Sequence, residues 1–196
     1  MAGFRNPMGT TRAATIALYA YMVLDPLASV LRFMDPAPDG PAVWATIVAF
    51  FVVIGCFVLV GRWIYLTNAN AHVLSSDMTM RPGWAVGWFF VPLANLFMPY
   101  QGVKETWRES HEAAGRYEDM DSSLLPLWWG LWIATNIIAN LTFMLDGGTT
   151  GDGLEGARYA DLLSSALNMP LCLVLIRLME RLARVQLLAS EGSVFE

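Results

Sequence analysis

Four polar side chains interrupt otherwise apolar runs: Asp25 in AYMVLDPLASV, Asn136 and Asn140 in WIATNIIANLTF, and Asn168 in SSALNMPLCLV. A carboxylate and carboxamides can coordinate a cation or orient a small solute if they converge. An ionisable residue in a lipid-facing run is expensive enough to count as a functional candidate by default. Asn136 and Asn140 are four residues apart and share one helical face. At about 1.5 Å per helical residue, Asp25 lies about 20 Å past Arg12, Asn136 about 18 Å past Leu124, and Asn168 about 14 Å past Tyr159. If helix direction alternates, those depths nearly coincide, so the four residues are candidates for one solute- or ion-binding layer. The structural alternative is packing glue: intramembrane asparagines commonly bridge helices at about 0.6 kcal/mol each. Asp25, just before Pro26, can likewise accept a backbone donor near a proline kink.

Other chemistry has little footing. Cys56 and Cys172 fall in apolar runs without metal-ligand spacing and read as inert packing. His72 and His111, the only histidines, read as isolated interfacial residues, unsuited to ligate haem at membrane depth. The glycines of DGGTTGDGLEG lack the Lys-Ser/Thr that completes a phosphate loop, and no serine sits in a nucleophile elbow. Asp25 has no acid–base companion in sequence. The expectation is therefore a protein that is not an enzyme, with no cofactor and no metal. Basic residues are scattered singly, which argues against a nucleic-acid partner.

The elements that position these residues follow from composition. The 196 residues are 56% hydrophobic and 15% charged, with mean hydropathy +0.46; soluble domains carry about 25% charge. Four runs, at about 13–33, 43–66, 124–145 and 159–179, reach the roughly 20 residues that cross a hydrocarbon core. The first is too long for a signal peptide, is interrupted by Asp25-Pro26, and lacks a clean small-x-small cleavage site. Pro170 in the fourth predicts a kink. The fold class expected is an all-α membrane protein, one domain over 1–196.

A fifth apolar stretch, 82–99, is too short to span and carries Pro92 mid-run. Cytoplasmic loops are enriched in Lys and Arg. If the stretch does not cross, ten of the twelve basic residues share the side of the N-terminus; if it crosses, five do. It is therefore expected to re-enter or lie along the cytoplasmic leaflet, bent at Pro92, with Asn95 satisfying freed backbone groups. Both termini are then cytoplasmic. A solvated amphipathic helix at 100–116, anchored by Trp107, should follow.

The span 63–110, WIYLTNANAHVLSSDMTMRPGWAVGWFFVPLANLFMPYQGVKETWRES, resembles the signature of a bacterial membrane-protein family, domain of unknown function 4328. The resemblance rests on Trp63 and Asn68, then the block Pro82, Gly83, Trp84, Ala85, Val86, Gly87 and Trp88. Pro92, Asn95, Leu96, Pro99, Tyr100, Trp107 and Ser110 complete it. It implies a multi-span protein of the bacterial cytoplasmic membrane and marks those positions as important, without supplying an activity.

Three function classes follow, in this order. The first is a non-enzymatic homo-oligomer that binds or passes a small solute or ion. The second is a scaffold or sensor whose Trp/Pro segment docks membrane lipid or a cytoplasmic protein partner. The third is an intramembrane lipid-modifying enzyme. A symmetric oligomer with a polar axis marks the first. A polar layer sealed by hydrogen bonds, with an exposed patch on the cytoplasmic face, marks the second.

Overall fold

The computed structural model describes residues 3–35, 40–120, 122–146 and 151–192. Among them there is no strand. The helices are α1 (Met8–Met34), α2 (Pro41–Leu74), α3 (Pro82–Gly87), α4 (Met98–Ala113), α5 (Leu124–Asp146) and α6 (Gly151–Gly192), with 3-10 turns at Trp88–Phe90, Ala94–Leu96 and Tyr117–Asp119. Four helices, α1, α2, α5 and α6, are long and apolar enough to cross a membrane. Their apolar side chains are mostly not covered by protein: Phe51 and Phe57 on α2 are 66% and 67% exposed. A side chain of that size recovers about 1.5–3 kcal/mol when removed from water, and lipid is the solvent that provides it.

The helices run past the apolar segments. α6 has 42 residues and α2 has 34, about 63 and 51 Å at 1.5 Å per residue, against a hydrocarbon core of about 30 Å. The extensions carry Thr67, Asn68 and Asn70 on α2 and Gln186 on α6, all buried. Polar residues that read as the exit from a span are therefore interior to a second layer of packing. Neither Pro26 nor Pro170 ends its helix; in lipid, a helix tolerates the lost amide because breaking further backbone bonds costs more.

The chain divides into two compact units. Unit 1 comprises 1–15, 57–126 and 176–196, and unit 2 comprises 16–56 and 127–175. Unit 1 holds ten of the twelve basic residues and ten of the seventeen acidic ones; unit 2 holds two and seven. The ten basic residues are the same ten that the non-crossing topology assigns to one side.

In unit 1, α4 differs from the solvated helix expected at 100–116. Pro99, Gly102, Val103, Thr106, Trp107, Glu109, Ser110 and His111 are buried. The helix also stops earlier. Gly115 has φ +66°, Gly115 N–H donates to Glu112 O and Arg116 N–H to Ηis111 O, a left-handed glycine cap that satisfies the last carbonyls.

The 82–99 stretch is not one continuous helix. Helical structure ends at Phe90, Val91 is extended (φ −96°, ψ 114°), and the chain turns at Pro92, as the residue before a proline favours. Ala94 N–H then donates to Pro92 O at 2.8 Å across Leu93, whose φ of 65° and ψ of −46° make a tight γ-turn that non-glycine residues rarely adopt. Asn95 contributes through its backbone, donating N–H to Val91 O at 2.9 Å; its side chain makes no hydrogen bond among the described residues.

Candidate functional site

The four sequence candidates lie in unit 2, and two of them meet. Asn168 on α6 donates Nδ2–H to Asp25 Oδ2 at 2.9 Å and to the Tyr21 hydroxyl oxygen at 3.1 Å. Tyr21 is four residues before Asp25, one helical turn away, and was not anticipated as a partner. Asn136 and Asn140 behave differently. Asn136 Nδ2 donates to Trp132 O at 2.7 Å and Asn140 Nδ2 to Asn136 O at 2.8 Å, each on its own helix. Asn140 is exposed. Elsewhere in unit 2, Arg32 donates to both carboxylate oxygens of Asp161, at 2.9 and 2.8 Å, and to Ser29 Oγ at 3.2 Å.

The denser constellation is in unit 1, on the motif-bearing helices. Gln186 of α6, 0% exposed, donates Nε2–H to Thr67 O at 2.7 Å and to Ser110 Oγ at 3.0 Å. Its Oε1 accepts from Asn70 Nδ2 at 3.1 Å. Asn70 also clamps the chain start: Arg5 N–H donates to Asn70 Oδ1 at 3.0 Å, and Asn70 Nδ2 to Arg5 O at 2.8 Å. Beside this, Asn68 Nδ2 donates to Thr106 Oγ1 at 3.0 Å, and Thr106 returns its proton to Gly102 O at 2.9 Å. One glutamine and two asparagines thus join α2, α4, α6 and the N-terminal segment. The amide of Gln186 and that of Asn70 have partners at both ends, and a buried network so supplied fixes one packing arrangement; the Asn68 side-chain oxygen stays without one among the described residues.

Carboxylates of α4 secure the loop after α2. Glu105 Oε1 accepts from Thr79 N–H at 2.6 Å and Thr79 Oγ1–H at 2.7 Å, and Oε2 from Met80 N–H at 3.1 Å. Glu109, 1% exposed, accepts from Ser75 Oγ at 2.6 Å and from Arg108 at 2.6 and 3.1 Å. Burial pushes its carboxyl up, but the Ser75 hydroxyl and the Arg108 guanidinium outweigh that and hold it below the ordinary glutamate value. His111 is not interfacial as expected; it is fully buried. Its Nδ1 lies 2.8 Å from Trp107 O, so Nδ1 carries the proton, because a carbonyl only accepts. Its ring lies 4.3 Å from that of Trp107, whose Nε1–H reaches Met120 O at 3.2 Å and whose face takes Arg181 at 5.6 Å. His72 is exposed, with Nε2 3.0 Å from Met80 O.

The motif positions therefore split by environment. Trp63, Asn68, Pro99, Trp107 and Ser110 are buried. Trp84 and Pro92 are exposed, and Pro82, Trp88 and Asn95 are half-buried, along the broken segment. Trp84 and Trp88 lie ring to ring at 4.7 Å. Exposed with them are Phe90, Leu93, Leu96 and Phe97. Ala85 behind is buried, and Gly102 of α4 lets Met80 pack so close that a Cβ there would fall 2.5 Å from its sulfur. Sequence reading missed Asn70, Gln186, Glu105 and Glu109. The signal available was the single Gln in an apolar helical run and the Asn-x-Asn pair beyond a span.

Compared with known proteins, residues 37–184 match the family described as a domain of unknown function, DUF4328, well beyond 63–110 on both sides. No curated protein and no solved structure matches the chain.

Proposed function

This chain belongs to the DUF4328 family, and we propose that, within the membrane, it is a non-enzymatic scaffold whose unit 1 presents a rigid apolar patch to the cytoplasmic leaflet. It is an integral membrane protein with four helices able to span. The observation that carries the reading is the patch itself. Trp84, Phe90, Leu93, Leu96 and Phe97 are exposed on one short segment, Phe90 at 81% and Leu93 at 76%. At about 1.5–3 kcal/mol for a fully buried side chain, the exposed parts of the five leave roughly 5–9 kcal/mol of burial unrealised in water. Tryptophans and short broken helices suit the headgroup level. The segment is pinned rather than floppy, because Glu105 and the Gly102–Met80 contact tie the preceding loop to α4. The ten basic residues of unit 1 support, by the positive-inside rule, a cytoplasmic side for that unit's charged part and for both termini.

The polar groups in unit 2 support the same reading. Asp25, Tyr21 and Asn168 satisfy one another, and Asn136 and Asn140 satisfy carbonyls of α5. Asp25 and Asn168 bonded to each other, with the other two asparagines folded back on their own helix, support a scaffold rather than an open solute site. A second reading, a cation or small-solute site in a homo-oligomer, is favoured by one observation: Asp25 lies in a spanning helix and, among the described residues, is hydrogen-bonded by an amide and a phenol and by no cation.

The test is a nitroxide attached at Phe97→Cys in the reconstituted full chain. Both native cysteines are buried and are replaced by alanine. Expected is high collision with oxygen and little with an aqueous nickel chelate, at interfacial depth. A label as accessible to nickel as one on the exposed Glu118 position overturns the proposal.

A further inference from the structure

An open groove in unit 1 runs between α2 and the α3 segment, lined by Phe57, Gly61, Arg62 and Tyr65 on one side and Val86 and Phe90 on the other. We propose that it holds an acyl chain of an anionic phospholipid whose phosphate pairs with Arg62, a claim that rests on the scaffold reading and names its ligand. Depth supports the assignment first. The stretch 43–61 contains no charged residue, and its nineteen residues rise about 28 Å as helix, close to the hydrocarbon thickness of about 30 Å. Arg62 comes next, at the level of lipid phosphates, and Tyr65 stands one turn further on.

Shape and charge support it next. Phe57, Gly61 and Tyr65 are spaced by four and face the same way, so apolar walls lead toward a polar end. Gly61 lets Val86 come close, since a Cβ there would lie 3.6 Å from Val86 Cγ1, while a Cβ at Gly83 would meet nothing within 4 Å. The groove is thus narrow at one glycine and open at the other. Arg62 is exposed and makes no ion pair among the described residues; the same holds for Arg81, two residues before Gly83. A guanidinium presents paired donors that match phosphate oxygens. No Asp or Glu lines the groove, so the ammonium of a zwitterionic headgroup finds no partner, which favours a net-negative lipid.

The experiment is native mass spectrometry of the delipidated full chain in detergent, titrated with dioleoylphosphatidylglycerol or dioleoylphosphatidylcholine. Expected is one tight adduct, with about tenfold preference for the glycerol lipid, the size of one charge-assisted contact. Arg62→Gln should bring that preference to within about twofold. Gly83→Leu, which has room for its side chain, should fill the groove and weaken adducts of both lipids. Unchanged preference in Arg62→Gln, or no preference in the parent, overturns the proposal. The two readings separate in the nitroxide experiment: a Phe97 label buried in pure phosphatidylcholine bilayers keeps the scaffold while a missing headgroup preference removes the groove ligand. A water-exposed label removes both.

Discussion

Gln186→Met keeps the length and nearly the volume of the side chain and deletes its polar end. Three hydrogen bonds disappear, to Thr67 O, to Ser110 Oγ and from Asn70 Nδ2. At about 1 kcal/mol net each, the loss is about 3 kcal/mol. The thioether methyl, newly buried, returns about 1 kcal/mol. Each abandoned partner keeps a second option: Asn70 still donates to Arg5 O, Thr67 O keeps its helical donor, and the Ser110 hydroxyl can turn to a carbonyl one turn back. The net destabilisation is therefore about 2 kcal/mol rather than the larger penalty of an orphaned polar group. The assay is reversible unfolding in mixed dodecyl sulfate and maltoside micelles, followed by tryptophan fluorescence. Because Asn70 and Gln186 share a bond, the cycle with Asn70→Ala should show a coupling of about 1 kcal/mol. Asn140→Leu, which removes only a bond to its own helix, should cost within about 0.5 kcal/mol. A Gln186→Met loss no larger than that control, or an additive cycle, refutes the claim that this network holds unit 1 together.

Glu109 is held below the ordinary value of 4.5, so its stabilisation is full above the unfolded-state pKa and is lost as pH falls through the folded one. Stability against unfolding, followed from pH 6 to pH 3, about the range over which a glutamate titrates, should fall in the parent and fall less steeply in Glu109→Gln. Gly102→Ala places a Cβ 2.5 Å from Met80 Sδ and should cost about 1–2 kcal/mol, partly restored by Met80→Ala. Asp25→Asn should leave stability within about 0.5 kcal/mol, since an amide oxygen still accepts from Asn168; isothermal titration with sodium or potassium chloride checks the solute reading, which requires binding that this variant abolishes. Membrane-impermeant maleimide should label Thr150→Cys and spare Ser193→Cys in intact cells; both positions lie outside the described residues. Labelling at Ser193 inverts the topology.

The spans were legible because an apolar run of the right length has few other readings, and Pro92 was legible as a break because it withholds an amide. The depth argument found Asp25 with Asn168. It failed to distinguish Asn136 and Asn140, because whether an asparagine reaches across or folds back on a carbonyl is a rotamer choice set by neighbours. The extensions of α2 and α6 were hidden for a related reason. Thr67, Asn68, Asn70 and Gln186 look like solvent-facing residues until partners 38 to 119 positions away enclose them. Glu109 and His111 misled in the same way, since the periodicity of α4 gives a polar face but not what covers it. The γ-turn at Leu93 leaves no mark in residue type, as leucine is among the residues least suited to positive φ.

The placement of Gln186 has a consequence for the order in which the chain is completed. Arg5 leaves the ribosome before its anchor, Asn70, which follows 65 positions later. Gln186 emerges 116 positions after Asn70, close to the C-terminal end of α6. Synthesis at about 5–20 residues per second keeps Asn70, Thr67 and Ser110 waiting for seconds with one partner missing. Insertion of the earlier helices thus comes before unit 1 can close, and closure waits for the far end of α6. A polypeptide stopped before Gln186 has the apolar parts of α1, α2, α5 and α6 but leaves the polar interior of unit 1 open, so the far end of α6 decides whether that interior closes.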